Sequence, residues 1–165
     1  MNVITVPKPM PVKVIVPFTA GGGTDVVARA LASGLSQGFG RSFIVENRPG
    51  ASTVIGSEYV ASSPPDGYTL LLASVPHVTN PWLMKALPFD TLKAFAPISL
   101  AVQSPFIMVT SPASPVRSLA DVLALAKTRP GQITSPSGGS GTSNHIAAEA
   151  LRPAAKIDIV HVPYK

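Results

Sequence analysis

Two glycine-rich stretches hold the residue types and spacings best suited to chemistry. The first is Pro17-Phe18-Thr19-Ala20-Gly21-Gly22-Gly23-Thr24-Asp25. It follows a β-branched run over residues 12–17 and precedes Val27, Leu31 and Leu35 at helical spacing. A strand that turns through glycines into a helix aims unpaired backbone N–H groups and the positive end of the helix dipole at one point. Such a turn attracts an anion, either a carboxylate or a phosphate. No Gly-Lys-Ser/Thr follows, and Val26 stands where a dinucleotide fingerprint starting at Gly21 needs its last glycine, so both nucleotide readings weaken. A tight turn using glycine for positive φ accounts for the same residues. Asp25 suits a cap or a brace for this turn better than an acid catalyst.

The second stretch, Ser137-Gly138-Gly139-Ser140-Gly141-Thr142-Ser143-Asn144-His145, again lies between a predicted strand and a predicted helix. Hydroxyls at the cap and glycine backbone make a second anion cradle of the same design. Ser140 and His145 invite a hydrolase reading, but Gly-x-Ser-x-Gly is not satisfied around Ser140 and no acid is placed to complete a triad. His145 falls in the first helical turn, where a packed or capping imidazole competes with a ligand or a base. His77 and His161 lack a second metal ligand at useful spacing, so neither a metal nor a cofactor is expected. Asn47-Arg48-Pro49-Gly50 and the 74–80 stretch sit at further strand ends, where turn chemistry and a crevice lining explain them equally.

The elements that position these turns read in alternation. Strands are predicted over 12–17, 42–46 and 68–73, with helices over 24–37 and 53–61; Thr24 or Asp25 is expected to cap the first helix, and Gly38 and Gly40 to end it. Strands alternating with helices imply parallel βαβ crossovers and an α/β class. Residues 76–87 read as a loop with a short helix, and 97–102 and 106–110 as two more strands. Ser118 with Asp121 three residues on resembles a capping box for a helix through Lys127, ended by Pro130-Gly131. A strand near 132–135, a helix over 142–151 and a strand over 157–162 complete the reading. Two units are expected, 1–102 and 103–165.

Composition narrows the function classes. The 165 residues include 13 Lys plus Arg against 8 Asp plus Glu, and charged residues make up 13% where about a quarter is usual, which excludes charged tails and a disordered composition. The net charge of +5 comes from scattered positions such as Lys8, Lys13, Arg29, Arg48, Lys85 and Lys127, so no nucleic-acid partner is expected. The chain has no cysteine, which removes disulfides, thiolate metal sites and a cysteine nucleophile. Residues 1–11 carry three prolines and no apolar core of a secretory signal, and no apolar run approaches the roughly 20 residues of a spanning helix.

Six ordered motifs resemble the Bug family, the TctC-type substrate-binding proteins of tripartite tricarboxylate transporters. They are Val14-Ile15-Val16-Pro17-Phe18 with Gly21-Gly22 and Asp25, Val45-Glu46-Asn47-Arg48-Pro49-Gly50, Pro65-Asp66-Gly67-Tyr68-Thr69-Leu70, Leu87-Pro88-Phe89-Asp90, Phe95-Ala96-Pro97-Ile98, and Val160-His161-Val162-Pro163-Tyr164-Lys165. The resemblance implies a periplasmic-binding-protein-like fold of type II, the Venus-flytrap arrangement, that closes on a small carboxylate or amino acid and presents it to a membrane permease. It implies a periplasmic location, no catalysis and no cofactor. By motif, Phe18, Thr19, Ala20, Gly21, Gly22 and Asp25 match the first-lobe loop that holds a ligand carboxylate through backbone groups and ordered water. Ser137, Gly139, Gly141, Thr142 and His145 match the second-lobe loop, and Ser74, His77 and Asn80 match a loop bordering the cleft.

Three departures from the family pattern bear on this reading. Pro136 replaces a glycine and removes a donor. Ser52-Thr53-Val54 stands where the family has a glycine- and asparagine-rich turn, which predicts a stiffer loop. The resemblance also covers about the first half of a family member, with one lobe largely present and the second incomplete, so self-association or domain swapping is expected. A non-binding remnant and, third, a hydrolase using Ser140 and His145 are the alternatives.

Overall fold

The computed structural model describes residues 10–164. Residues 1–9 of the segment read for a signal, with Pro7, Lys8 and Pro9, lie outside the described residues, as does Lys165 of the last motif. The chain divides into two compact units, Met1–Phe95 and Ala96–Lys165.

In the first unit, β1 (Val12–Val16) lies between β2 (Phe43–Asn47) and β3 (Thr69–Leu71), all parallel, with Val14 opposite both Val45 and Leu70. A central strand is covered on both faces, which is why four of its five residues are apolar and buried while only Lys13 is exposed. The return paths are α1 (Gly23–Phe39) and α2 (Val54–Ala61), preceded by a 3-10 turn at Ala51–Thr53. Small residues on α1, Ala28 and Ala32, bring its axis close to the sheet, and Ala28 packs with Val14 and Val16 beneath Phe18, Phe43, Val45 and Leu72. The segment after β3 forms α3 (Val75–Leu83).

Two expectations need correction here. Helix α1 starts at Gly23 with Gly22 as its cap residue, and neither Thr24 nor Asp25 caps it. The Asp25 carboxylate instead reaches past the cap to the Gly21 N–H and also accepts from Arg29 and Asn47, so it braces the turn and does not cap the helix. Residues 97–102 and 106–110 form no strand; both are irregular and exposed. Their β-branched content predicts a pleated backbone, but a strand also needs a neighbour for its N–H and C=O groups, and no described strand pairs with them.

In the second unit, α4 (Leu119–Thr128) opens on the capping box that the spacing predicts. The Ser118 hydroxyl accepts from the Asp121 N–H, and the Asp121 carboxylate accepts from the Ser118 N–H. Strands β4 (Ile133–Ser137) and β5 (Ile159–Pro163) pair in parallel through the crossover helix α5 (Ser143–Ala155). Ala126, Ile157 and Ile159 form the core, packed against Leu123, Ile133, Ala148 and Leu151. Pro136 lies within β4 opposite Val162. Proline belongs on edge strands, and β4 has β5 on one side and no other described strand.

Candidate functional site

The turn after β1 is fixed by one buried carboxylate. Asp25 is 3% exposed, and its Oδ2 accepts from the Gly21 N–H and from Arg29 Nε, both at 2.9 Å. Its Oδ1 accepts from Asn47 Nδ2 at 2.9 Å; the same amide reaches the Phe18 carbonyl at 3.1 Å, and Arg29 Nη2 donates to Asn47 Oδ1 at 3.1 Å. The Arg29 guanidinium, then the Gly21 amide and Asn47, hold the Asp25 carboxyl at about 2, below its ordinary 3.8. The bond to Asp25 requires the turn to double back at Gly21, whose φ of +86° is open to glycine. Thr19, Ala20, Gly21, Gly22 and Gly23 are exposed. No side chain caps α1, and its first intrahelical bond runs from the Val26 N–H to the Gly22 carbonyl. The preceding amides therefore have no partner within the helix, and the dipole favours negative charge beside them.

The carboxyl ends of β1, β2 and β3 lie at one edge of the sheet because the strands are parallel. The turns that begin at Pro17, Arg48 and Leu72 therefore leave from the same edge. Helix α2 presses closely on two of them: a Cβ on Gly56 would lie 2.8 Å from Pro17 Cβ and 2.9 Å from the Arg48 carbonyl oxygen. Ala51, Ser52 and Thr53 all have positive φ, a strained arrangement for residues with a side chain. Asn80 is buried and donates from Nδ2 to the Ser52 carbonyl at 2.7 Å, which ties α3 to this turn. Ser74 is the cap residue of α3 and accepts the His77 N–H on its carbonyl. His77 is packed edge-on to Phe95, at 4.8 Å between ring centres, and burial pushes its imidazole below the ordinary value. Of the residues read from the sequence, those from Phe18 to Asp25 form one turn with Asn47 and Arg29. Ser74 is the cap residue of α3 and His77 and Asn80 lie along it, with His77 turned into an aromatic cluster.

In the second unit Ser137, Gly139, Gly141, Thr142 and His145 do come together. The Ser137 hydroxyl accepts from the Gly139 N–H and lies 3.1 Å from the Gly139 carbonyl. Thr142 Oγ1 donates to that carbonyl at 2.7 Å. The Gly141 N–H donates to His145 Nδ1 at 3.0 Å, so the neutral ring carries its proton on Nε2, which faces Glu149 Oε1 at 4.0 Å. The sequence reading missed His161: its Nε2 is 2.6 Å from Ser137 Oγ, and its ring stacks on His145 at 3.9 Å and 25°. It missed Asn47 and Arg29 as partners of Asp25 as well. Arg29 stands four residues after Asp25, a helical ion-pair spacing that was available to find it, whereas nothing local marks the other two. Among the described residues no group of three or more His, Cys, Asp or Glu could hold a metal ion, and no helix is long and apolar enough to cross a membrane.

Parallel α/β units with glycine turns at the carboxyl ends of their strands define an architecture of the periplasmic-binding-protein type, and solved structures agree. Residues 27–165 match the family model described as the tripartite tricarboxylate transporter family receptor, TctC, and the chain belongs to that family. BugT of Bordetella pertussis is 39% identical over 159 residues, which cover 94% of this chain and 48% of BugT. The structure of R. palustris Rpa4515 with adipate is 32% identical with a TM-score of 0.78, covering 95% of this chain and 53% of that one. MatC from Rhodopseudomonas palustris with bound malate is 26% identical with a TM-score of 0.82, covering 94% and 54%. The chain thus spans about half the length of the relatives it matches. The family model describes a receptor, and one further solved neighbour, 31% identical, is described as the periplasmic binding protein BugD.

Proposed function

We propose that this chain captures a small carboxylate outside the cytoplasm, in the periplasm, and serves delivery to the membrane permease of a tripartite tricarboxylate transporter. The observation that carries this reading is the turn after β1. Helix α1 begins without a side-chain cap among exposed glycines, the Gly21 amide ahead of it is tied to Asp25, and no Lys or Arg stands among residues 17–24. Backbone amides hold a carboxylate without a full counter-charge, which suits capture followed by release. Within the expected class of mono- and dicarboxylates and amino acids, the adipate and malate held by two neighbours support a dicarboxylate as ligand. Ser74, His77 and Asn80 and the turn from Ser137 to His145 are assigned to the same task on the strength of their motifs. Thermal-shift and calorimetric titrations with adipate, malate, succinate, citrate, glutamate, aspartate and nicotinate test it. A ligand that prefers the native state raises the melting temperature, and silence across the panel overturns the reading.

One observation favours a second reading, self-association without transport. Ile98, Leu100, Phe106, Ile107 and Val109 are exposed along a segment with no regular structure. Exposed apolar stretches of β-branched residues pair with other chains. Turnover of an activated ester that disappears on Ser140→Ala would support the hydrolase alternative instead.

A further inference from the structure

We infer that His161 is a positioning residue of the second glycine turn: through the Ser137 hydroxyl it sets the backbone amides at the start of α5 for a carboxylate. The inference rests on the carboxylate reading above and assigns a residue outside the turn's own motif. Three observations carry it. First, three side chains of the turn are engaged with the turn itself. Ser137 Oγ meets both backbone groups of Gly139, Thr142 Oγ1 donates to the Gly139 carbonyl, and His145 Nδ1 accepts the Gly141 N–H. Hydroxyls and a ring nitrogen committed in this way hold shape. Beside them lies the α5 N-terminus, where the cap residue Thr142 makes no side-chain cap bond and the first intrahelical bond comes from the Ile146 N–H.

Second, Ser137 is buried, 6% exposed, at the end of β4, so its hydroxyl depends chiefly on protein partners. The 2.6 Å contact with His161 Nε2 is its shortest, and it fixes which way the hydroxyl serves Gly139. Third, His161 reaches Ser137 from β5, because the parallel register sets His161 opposite Ser135 and the Tyr164 N–H donates to the Ser137 carbonyl at 2.8 Å. The face of the His161 ring then covers His145, whose far edge meets Glu149, itself held by Arg152. A chain of contacts thus runs from β5 through Ser137 to the turn, with His145 packed against its side.

Two substitutions separate the hydrogen bond from the ring stack. His161→Phe keeps an aromatic face for His145 and removes the partner of Ser137. His161→Gln gives up the stack and keeps an amide within reach of the hydroxyl. Adipate and malate are titrated calorimetrically against the full chain and both variants, and the Gly139 and Gly141 amide resonances are followed without ligand. The expected result is a loss of about tenfold or more in affinity for His161→Phe, with both glycine resonances displaced, and recovery to within about threefold in His161→Gln with resonances near the parent positions. Parent-like affinity in His161→Phe, or equal damage in both variants, overturns the assignment. If the parent binds neither compound, the carboxylate reading is left to the wider panel, and the glycine resonances alone decide on His161: displaced by Phe and restored by Gln upholds it, any other pattern overturns it. Should His161→Phe not fold, His161→Leu removes the same bond and is held to the same outcomes.

Discussion

Asp25 has the right sign to repel the ligand proposed for its turn, and its surroundings explain why it stands there. Its two oxygens accept from Gly21, Arg29 and Asn47, so its charge is matched by a guanidinium and amide donors. Removing the carboxylate would free the Gly21 amide and release Asn47 from the turn together. Because the Asp25 carboxyl is held at about 2 against an ordinary 3.8, its contribution to stability is complete above about pH 4 and is lost as pH falls toward 2, where the folded form takes up the proton as well. Asp25→Asn keeps the shape and removes the charge. The variant should melt below the parent at neutral pH, and the gap should close as the pH falls from about 4 to about 2. A gap that stays constant across that range would place the effect of Asp25 in packing instead of charge.

At the scale of elements, α2 seats the turns after β1 and β2, and Gly56 is its point of closest approach. A methyl group there meets Pro17 and the Arg48 carbonyl at under 3 Å, while one on Gly34 of α1 meets nothing within 4 Å. Gly56→Ala should therefore lose about 1–2 kcal/mol in urea unfolding, overpacking outweighing the helical gain of alanine, and Gly34→Ala should gain about 0.5–1 kcal/mol. Stabilisation by both would show that α2 can back away from the turns. The elements themselves were legible wherever a local rule was complete. The β-branched run of β1, the helical period of α1 and the Ser118–Asp121 capping box each carry their own signal. Residues 97–110 carry half of one: β-branched composition is local, but the partner strand is not. The site divides in the same way. Both glycine turns announce themselves in sequence, whereas Asn47 meets Asp25 through the β1–β2 pairing, and His161 meets Ser137 through the β4–β5 register.

For the molecule as a whole, the low charge content and the uncovered segment act together. Charged residues are 13% of the chain, so little electrostatic repulsion keeps copies apart beyond a net +5, and salt screens what there is. Val109 is 83% exposed and Ile107 79%, with Phe106 and Met108 beside them. The backbone of the same segment has no strand partner among the described residues. A second copy can offer both apolar cover and backbone hydrogen bonds, and either alone would be a weaker reason to associate. Light scattering coupled to gel filtration should give a mass above the 17.0 kDa of one chain, rising with loading concentration. Ile107→Lys combined with Val109→Lys puts two like charges on the exposed run and should bring the mass back toward one chain without lowering the affinity for adipate or malate. A parent that stays monomeric at every concentration and melts in one sharp transition would mean that the segment is covered from within the chain. Persistent association of the double variant would move the contact to another surface, with the exposed Trp82 and Leu92 of the first unit as the next place to look.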